Sequence, residues 1–322
     1  MTDPTAPSWE RATLEKVALA ALAEQRRARQ WSALFKLLWF TLAFLVLAAM
    51  LGWIGGSAKE PLRTGKHTAL VELKGAIGVD SKASAEKMMA SLANAFKDKH
   101  TQGVVLRINS PGGSPVQSGN INDEIRRLRA KYPAIPLHVV VQDICASGGY
   151  YVAVAADKIF VDKASLVGSI GIIMSGFGFT GAMEKLGVER RAYTAGEHKD
   201  FLDPFVAESP AQREHVKKML DEIHQQFIKV VRQGRGKRLK ETPEVFSGLV
   251  WTGERAVELG LADGFGSLES VAREVIKAET VVDFTLEENY LEQFSRRLGA
   301  GAAESAVRAL VETASKGAAA IR

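Results

Sequence analysis

Apolar and polar positions change their pattern twice along the 322-residue chain. Residues 1–36 are polar and carry a basic cluster, Arg26, Arg27, Arg29 and Lys36. Leu37–Gly55 (LLWFTLAFLVLAAMLGWIG) then runs without a charge. That is long enough to cross a bilayer as a helix. Trp31, Trp39 and Trp53 lie near its ends, where aromatic residues sit at a membrane interface. A core helix would show a polar stripe, and this run has almost none. A cleaved signal peptide would have a shorter polar leader and a small-x-small site after the apolar run. Arg11, Lys16, Arg26, Arg27, Arg29 and Lys36 precede the run, whereas only Lys59, Arg63 and Lys66 follow closely. This asymmetry predicts a cytoplasmic N-terminus and an exported C-terminal part. In a bacterium that is a single-pass protein of the inner (plasma) membrane with its main domain on the periplasmic or extracytoplasmic side.

After a polar linker, 56–66, strand and helix patterns alternate. HTALVEL (67–73) has strand character, and 84–98 has helical spacing of apolar residues. GVVLRINSPGG (103–113) is an apolar strand that ends in a glycine turn, followed by a helix over 115–131. A β-branched run, Leu137–Val141, leads into the turn Ala146, Ser147, Gly148, Gly149, then a small-residue helix and the strand KIFVD (158–162). This repetition predicts parallel βαβ units in an α/β domain. Ser209-Pro210-Ala211-Gln212 is a strong helix start, with serine as cap, proline at the first position and glutamine at the third. Val216, Leu220, Ile223, Phe227 and Val231 continue that helix to about Arg235. Short helices follow over 251–260 and 267–278. The domain is expected over 67–288, with an alanine-rich helical tail over 289–322.

Composition adds exclusions. Hydrophobic residues make up 46% of the chain and charged residues 25%, as in a globular protein. The net charge of +5 is spread among acids, so no nucleic-acid footprint is visible. The single cysteine, Cys145, excludes an internal disulfide and a cysteine zinc site. It lies two residues before Ser147 and is a rival nucleophile, although a cysteine ending an apolar strand is usually a small buried hydrophobe.

Two turns carry candidate chemistry. A serine between a strand and a helix N-terminus has free N–H groups and the helix dipole beside its hydroxyl. Gly148 and Gly149 remove Cβ atoms that would keep a substrate carbonyl away. The second turn, Asn109-Ser110-Pro111-Gly112-Gly113, lies at a strand's C-terminal end, where α/β folds place ligands. Gly113 and Gly148 N–H groups are candidates for the two donors of an oxyanion hole. Alone, the first sequence is also that of a capped, glycine-packed helix start, and the second that of an ordinary turn. A nucleophilic serine needs a base. No histidine stands in a recognisable nucleophile-elbow order and no G-x-S-x-G surrounds Ser147. A lysine held neutral by burial is the remaining option, and the residues alone do not select it.

Together, SPGG after a strand, ASGGYY at the next turn, VGSIGI, and the lysine of TAGEHKD resemble signal peptide peptidase A, short form, over about residues 67–280. GLVWTGERAVELGLADGFG resembles that family's closing segment. The resemblance implies a Clp-protease/crotonase-like fold of repeated ββα/βαβ units behind a single membrane helix. It implies a Ser/Lys serine peptidase in which Ser147 is the nucleophile, Lys199 the general base and Ser169 the residue orienting the lysine. Gly113 and Gly148 would form the oxyanion hole, with no metal or organic cofactor. It further implies apolar peptide substrates, remnant signal peptides among them, and a homo-oligomer in which serine and lysine meet across an interface. Tyr150, Tyr151, Ile172 and Met174 are candidates to line the peptide site, or plain core. The competing readings are a related membrane protease with another membrane-protein substrate, a crotonase-type acyl-CoA enzyme and a non-catalytic scaffold. His198 and Asp200, flanking Lys199, invite a Ser/His/Asp triad instead.

Overall fold

The structure, a computed structural model, describes residues 9–50 and 65–286. The first helix, α1, runs Trp9–Met50 and takes in the apolar run as far as residue 50. Residues 51–55 of the expected span, the linker to residue 64 and the tail from residue 287 lie outside the described residues. Among the described residues no helix is long and apolar enough to cross a membrane. The covered part of the run, Leu37–Met50, is shorter than the roughly 20 residues a span needs.

The remaining elements belong to a separate compact unit, Arg63–Asn289. They are β1 (His67–Lys74), α2 (Ala85–Lys97), β2 (Thr101–Ser110), α3 (Pro115–Lys131), β3 (Leu137–Ala146), α4 (Gly148–Ala153), β4 (Lys158–Val161) and β5 (Leu166–Gly168). They continue with α5 (Thr180–Leu186), α6 (Pro210–Arg235), β6 (Val250–Thr252), α7 (Gly253–Glu258), β7 (Gly264–Phe265), α8 (Leu268–Ser270) and β8 (Val281–Asp283). A π-helical stretch, Val271–Ile276, extends α8.

The strands form one sheet in the order β6-β5-β3-β2-β1-β8, with β4 on β3 and β7 on β4. Only β5–β6 is antiparallel, so the βαβ expectation holds. Side chains of a strand alternate between faces, and here both faces are covered. Val71, Leu73, Leu106, Ile108 and Val139 enter the larger core with α2 and α3. Leu70, Val105 and Val140 enter a smaller core with Leu268 and Val271. Burial on both faces is why these strands read as nearly continuous apolar runs.

β3 is shared along its length. Its first half, His138–Val140, pairs with β4, and its last residues, Ile144–Ala146, pair with β5. The register against β2 shifts between Ile108↔Val141 and Ser110↔Cys145. This irregularity re-aims the strand's end, as bulges do, and the strand stops at the residue before Ser147.

The capping of α6 is as expected: Ser209 accepts from Gln212 N–H, and the Gln212 side chain accepts from Ser209 N–H. Its apolar stripe is only half used. Phe227, Ile228 and Val231 are buried, whereas Val216 and Leu220 stay partly exposed. The buried end is clamped by Arg235, whose Nε donates to Gly260 O (2.8 Å) and whose Nη1 meets Asp263 Oδ2 (2.8 Å). Asp263 also accepts from Ile159 N–H (2.7 Å) and Arg238 (3.0 Å). Burial pushes the Asp263 carboxyl upward, but the Arg235 hydrogen bond and charge overcome it and hold the group below its ordinary value.

The Arg235 and Asp263 side chains are 1% and 11% exposed. Removing one partner of such a pair leaves a buried uncompensated charge, which costs about 3–5 kcal/mol. Asp263→Asn is therefore expected to lose about 3 kcal/mol at pH 7 in urea unfolding. Because the folded-state pKa is depressed, the pair's contribution is present above the unfolded carboxylate value and fades as pH falls through the folded one. The gap between wild type and Asp263→Asn should accordingly narrow below about pH 4. A gap that is constant from pH 7 to pH 3 would contradict this account.

Candidate active site

Three strand ends bring the two glycine-containing turns together. At the end of β2, Ser110 Oγ donates to Gly75 O (2.6 Å) and accepts from Gly112 N–H (3.1 Å), setting the turn after Pro111. Ile77 then bridges to Gly113 in parallel register: Ile77 N–H donates to Gly112 O (2.8 Å), and Ser114 N–H to Ile77 O (2.9 Å). Since Gly112 and Ser114 make those bonds, the N–H of Gly113 points the other way. Ser114 caps α3, accepting from Gln117 N–H (3.3 Å) with Pro115 in the first turn.

At the end of β3, Ser147 has φ 51° and ψ −123°, a conformation that disfavours any side chain. The turn is held from both sides. Ser147 N–H donates to Gly168 O at the end of β5 (2.8 Å), and Ser147 O accepts from Tyr151 N–H (2.9 Å). A serine held in a positive-φ turn at a strand end costs ~1–3 kcal/mol. Its side chain makes no capping hydrogen bond. α4 is only 6 residues long, so the donors here are single N–H groups and not a long helix dipole.

Gly113, Ser147 and Gly148 line one cavity of about 550 Å³. A Cβ built on Gly148 would lie 3.2 Å from Gly113 N, which places the two N–H groups side by side. Among the described residues neither N–H has an acceptor. Two free, adjacent backbone donors beside a half-buried serine hydroxyl suit an anion that develops on an attacked carbonyl. Of the four candidates for the peptide site, Tyr151 and Ile172 line the cavity. Tyr150 does not: it is fully buried, its hydroxyl donates to Leu261 O (2.8 Å), and it belongs to the core. Met174 is exposed and does not line the cavity.

The other expected residues lie apart from the cavity. Ser169, also at φ 51°, follows the glycine that holds Ser147, and its N–H donates to Leu249 O (2.8 Å). The next carbonyl, Ile170 O, is held by His224 Nε2 of α6 (3.1 Å). Lys199 is exposed, in the segment between α5 and α6, and does not line the Ser147 cavity. His198 lines a different cavity of about 300 Å³ with Phe201 and His215, so one chain forms no Ser147/His198/Asp200 triad either. Cys145 is wholly buried and burial pushes its thiol far up, which leaves it a small hydrophobe. A larger cavity, about 920 Å³, opens beside Arg107, Asp143 and Ser267 and holds none of the expected site residues.

Six further lining residues carry no signal of their own in the sequence. Ser118, Gly119 and Asp123 of α3 and Ile223, Gln226 and Phe227 of α6 also line the cavity. Ser118, Gly119 and Asp123 sit at helical spacing just after the glycine turn, the one signal that would have found them.

A serine beside two free backbone donors suits covalent acyl-transfer chemistry. The comparisons with known proteins agree. Residues 129–282 match Peptidase family S49. The chain is 32% identical over 201 residues to "Putative signal peptide peptidase SppA" of Enterococcus faecium, covering 62% of this chain and 58% of that one. It is 30% identical over 206 residues to "Putative protease slr0021" of Synechocystis, covering 64% of this chain and 72% of that one. A Brucella melitensis protein named "Na(+)/H(+) antiporter NhaA" is 48% identical over 182 residues, 56% of this chain but 25% of that one. That match reaches only a quarter of its polypeptide, and the transport name belongs to the whole of it. The chain belongs to peptidase family S49.

The closeness of the two turns makes a prediction about glycines. A Cβ at Gly112 would lie 2.7 Å from both Gly148 N and Ser147 Cβ, at φ +100°. Gly119, inside α3 on the same cavity, has nothing within 4 Å. Gly112→Ala should destabilise by about 2–4 kcal/mol, whereas Gly119→Ala should stabilise by up to ~1 kcal/mol through helix propensity. Thermal unfolding of the two variants checks this; equal shifts would contradict the packing described.

Proposed function

We propose that this protein is a membrane-anchored serine endopeptidase of the signal peptide peptidase A kind, with a Clp-protease/crotonase-like fold. Its substrates are remnant signal peptides and other apolar peptides. The observation that carries the reading is the meeting of Ser147 with the free N–H groups of Gly113 and Gly148 in one cavity. Ser147 Oγ attacks the scissile carbonyl while Lys199, oriented by Ser169, takes its proton. The two N–H groups stabilise the oxyanion, and the lysine passes the proton to the leaving amine. Water then attacks the acyl-enzyme by the same route and releases the second product.

A lysine works as a base only where it is shielded from water, and Lys199 of a single chain is exposed. The stretch from residue 173 to 206, which includes Lys199, exposes many large apolar side chains. Ile173, Phe177, Leu186 and Tyr193 are 86%, 82%, 77% and 94% exposed, and α5 buries no residue. Unpartnered apolar surface of this kind marks an interface. These features support a homo-oligomer in which Lys199 of one copy meets Ser147 of the next. The anchor is supported by the uncharged run 37–55 and by the exposure of Leu37, Leu38, Trp39, Phe40 and Leu42 on α1. The basic flank before that run supports a bacterial inner-membrane location with the peptidase domain outside the cytoplasm.

Hydrolysis of a fluorogenic apolar peptide tests the chemistry. Ser147→Ala and Lys199→Ala should each lose at least about 10³-fold in kcat/KM, whereas His198→Ala should retain activity. Retained cleavage by Ser147→Ala would end the proposal. A shared site makes a further demand. Subunits of Ser147→Ala and Lys199→Ala, mixed and reassembled one to one, should regain about a quarter of wild-type activity, because one neighbouring pair in four carries both groups. No recovery in reassembled mixtures would place serine and lysine in the same subunit.

A further inference from the structure

The Ser147 cavity has an apolar part, formed by Tyr151, Phe227 and Ile223, and an acid on α3. Tyr151 and Phe227 pack together there at a tilt of 46°, with ring centroids 5.1 Å apart. Ile223 joins them from α6. Of all the residues lining this cavity, Asp123 alone is charged. It is exposed, and among the described residues it has no ion-pair partner. Arg126, one turn further along α3, is the cation nearest in sequence. Its Nε is taken by Asn122 Oδ1 (2.7 Å), and it does not line the cavity.

The position of Asp123 relative to the serine is set by hydrogen bonding. Asn122 Nδ2 donates to Tyr151 O (2.6 Å), tying this turn of α3 to the helix that follows Ser147. The field of the carboxylate reaches the aromatic wall: burial pushes the Tyr151 hydroxyl up, and Asp123 adds to the effect while Arg126 opposes it.

We infer that Asp123 sets the specificity of the cleavage, by selecting a lysine or arginine side chain of the substrate in this cavity. The inference rests on the peptidase reading above. Lysine and arginine suit the cavity because they combine an apolar stem with a cationic head. The stem lies along Tyr151, Phe227 and Ile223, where a ring face also attracts the cation. The head reaches the carboxylate of Asp123. A wholly apolar side chain fills the apolar part but leaves the carboxylate unpaired, and an acidic one is repelled. The preferred substrate is then an apolar peptide with a basic residue at the position this cavity reads.

Peptides identical except for arginine, norleucine or glutamate on the acyl side of the scissile bond test this, using full-length assembled protein. Wild type should favour arginine over norleucine, and Asp123→Asn should lower the ratio of their kcat/KM values by about fivefold, as for an exposed ion pair. Asp123→Lys should tip the preference toward glutamate, and 1 M salt should flatten all three ratios. The same ratios in wild type, Asp123→Asn and Asp123→Lys, with cleavage intact, would overturn the inference and leave the peptidase reading standing. Failure of wild type to cleave any of the peptides, or cleavage that survives Ser147→Ala, would overturn both.

Discussion

The close approach of two backbone turns is the constraint on which the site depends. Gly112–Gly113 leaves β2 and Ser147–Gly148 leaves β3, and they meet at distances that exclude a side chain from one or the other. A Cβ on Gly112 would lie 2.7 Å from Gly148 N, and one on Gly148 would lie 3.2 Å from Gly113 N. This contact is not hydrophobic packing. It is the cost of aiming two N–H groups at one point, and the sheet meets it by holding each turn with backbone hydrogen bonds from a third element. Ile77 holds the first turn and Gly168 the second.

The rest of the domain supplies the rigidity that such a contact requires. β3 is long enough to pair with β4 near its start and β5 near its end, so its last residues are fixed from outside the turn itself. α4 is short but deeply packed, with Tyr150 hydrogen-bonded to Leu261 O. The loop carrying Leu261 is in turn held by Arg235 and Asp263, which also anchor the end of α6. α6 then returns to the site through His224, Ile223 and Phe227. A positive-φ serine persists because its surroundings over-determine it.

Much of the fold was legible because its signals are local. The boundaries of α3, the capping box of Ser209 and Gln212, and β1 with β2 follow from apolar periodicity and turn chemistry. Other features were less so. Tyr150 and Tyr151 are adjacent and chemically alike, yet one is core and the other faces the cavity, because successive helical positions point about 100° apart. The apolar stripe of α6 promised burial along its length, but only the end near Arg235 has something to pack against. Asp123 gave no signal as a single exposed acid on a helix; Tyr151 and Phe227 come to the same cavity on other elements.

By itself the sequence determined the two local turns of the candidate site: Ser147 with glycines behind it, and SPGG at the end of the preceding strand. These are statements about local backbone conformation, which neighbouring residues control. Only the tertiary structure decided that the two turns meet, that their N–H groups remain free, and that Lys199 of the same chain stays outside the cavity. Those facts depend on strand order and on helix packing between residues far apart in the chain, and no local pattern encodes a distance of that kind.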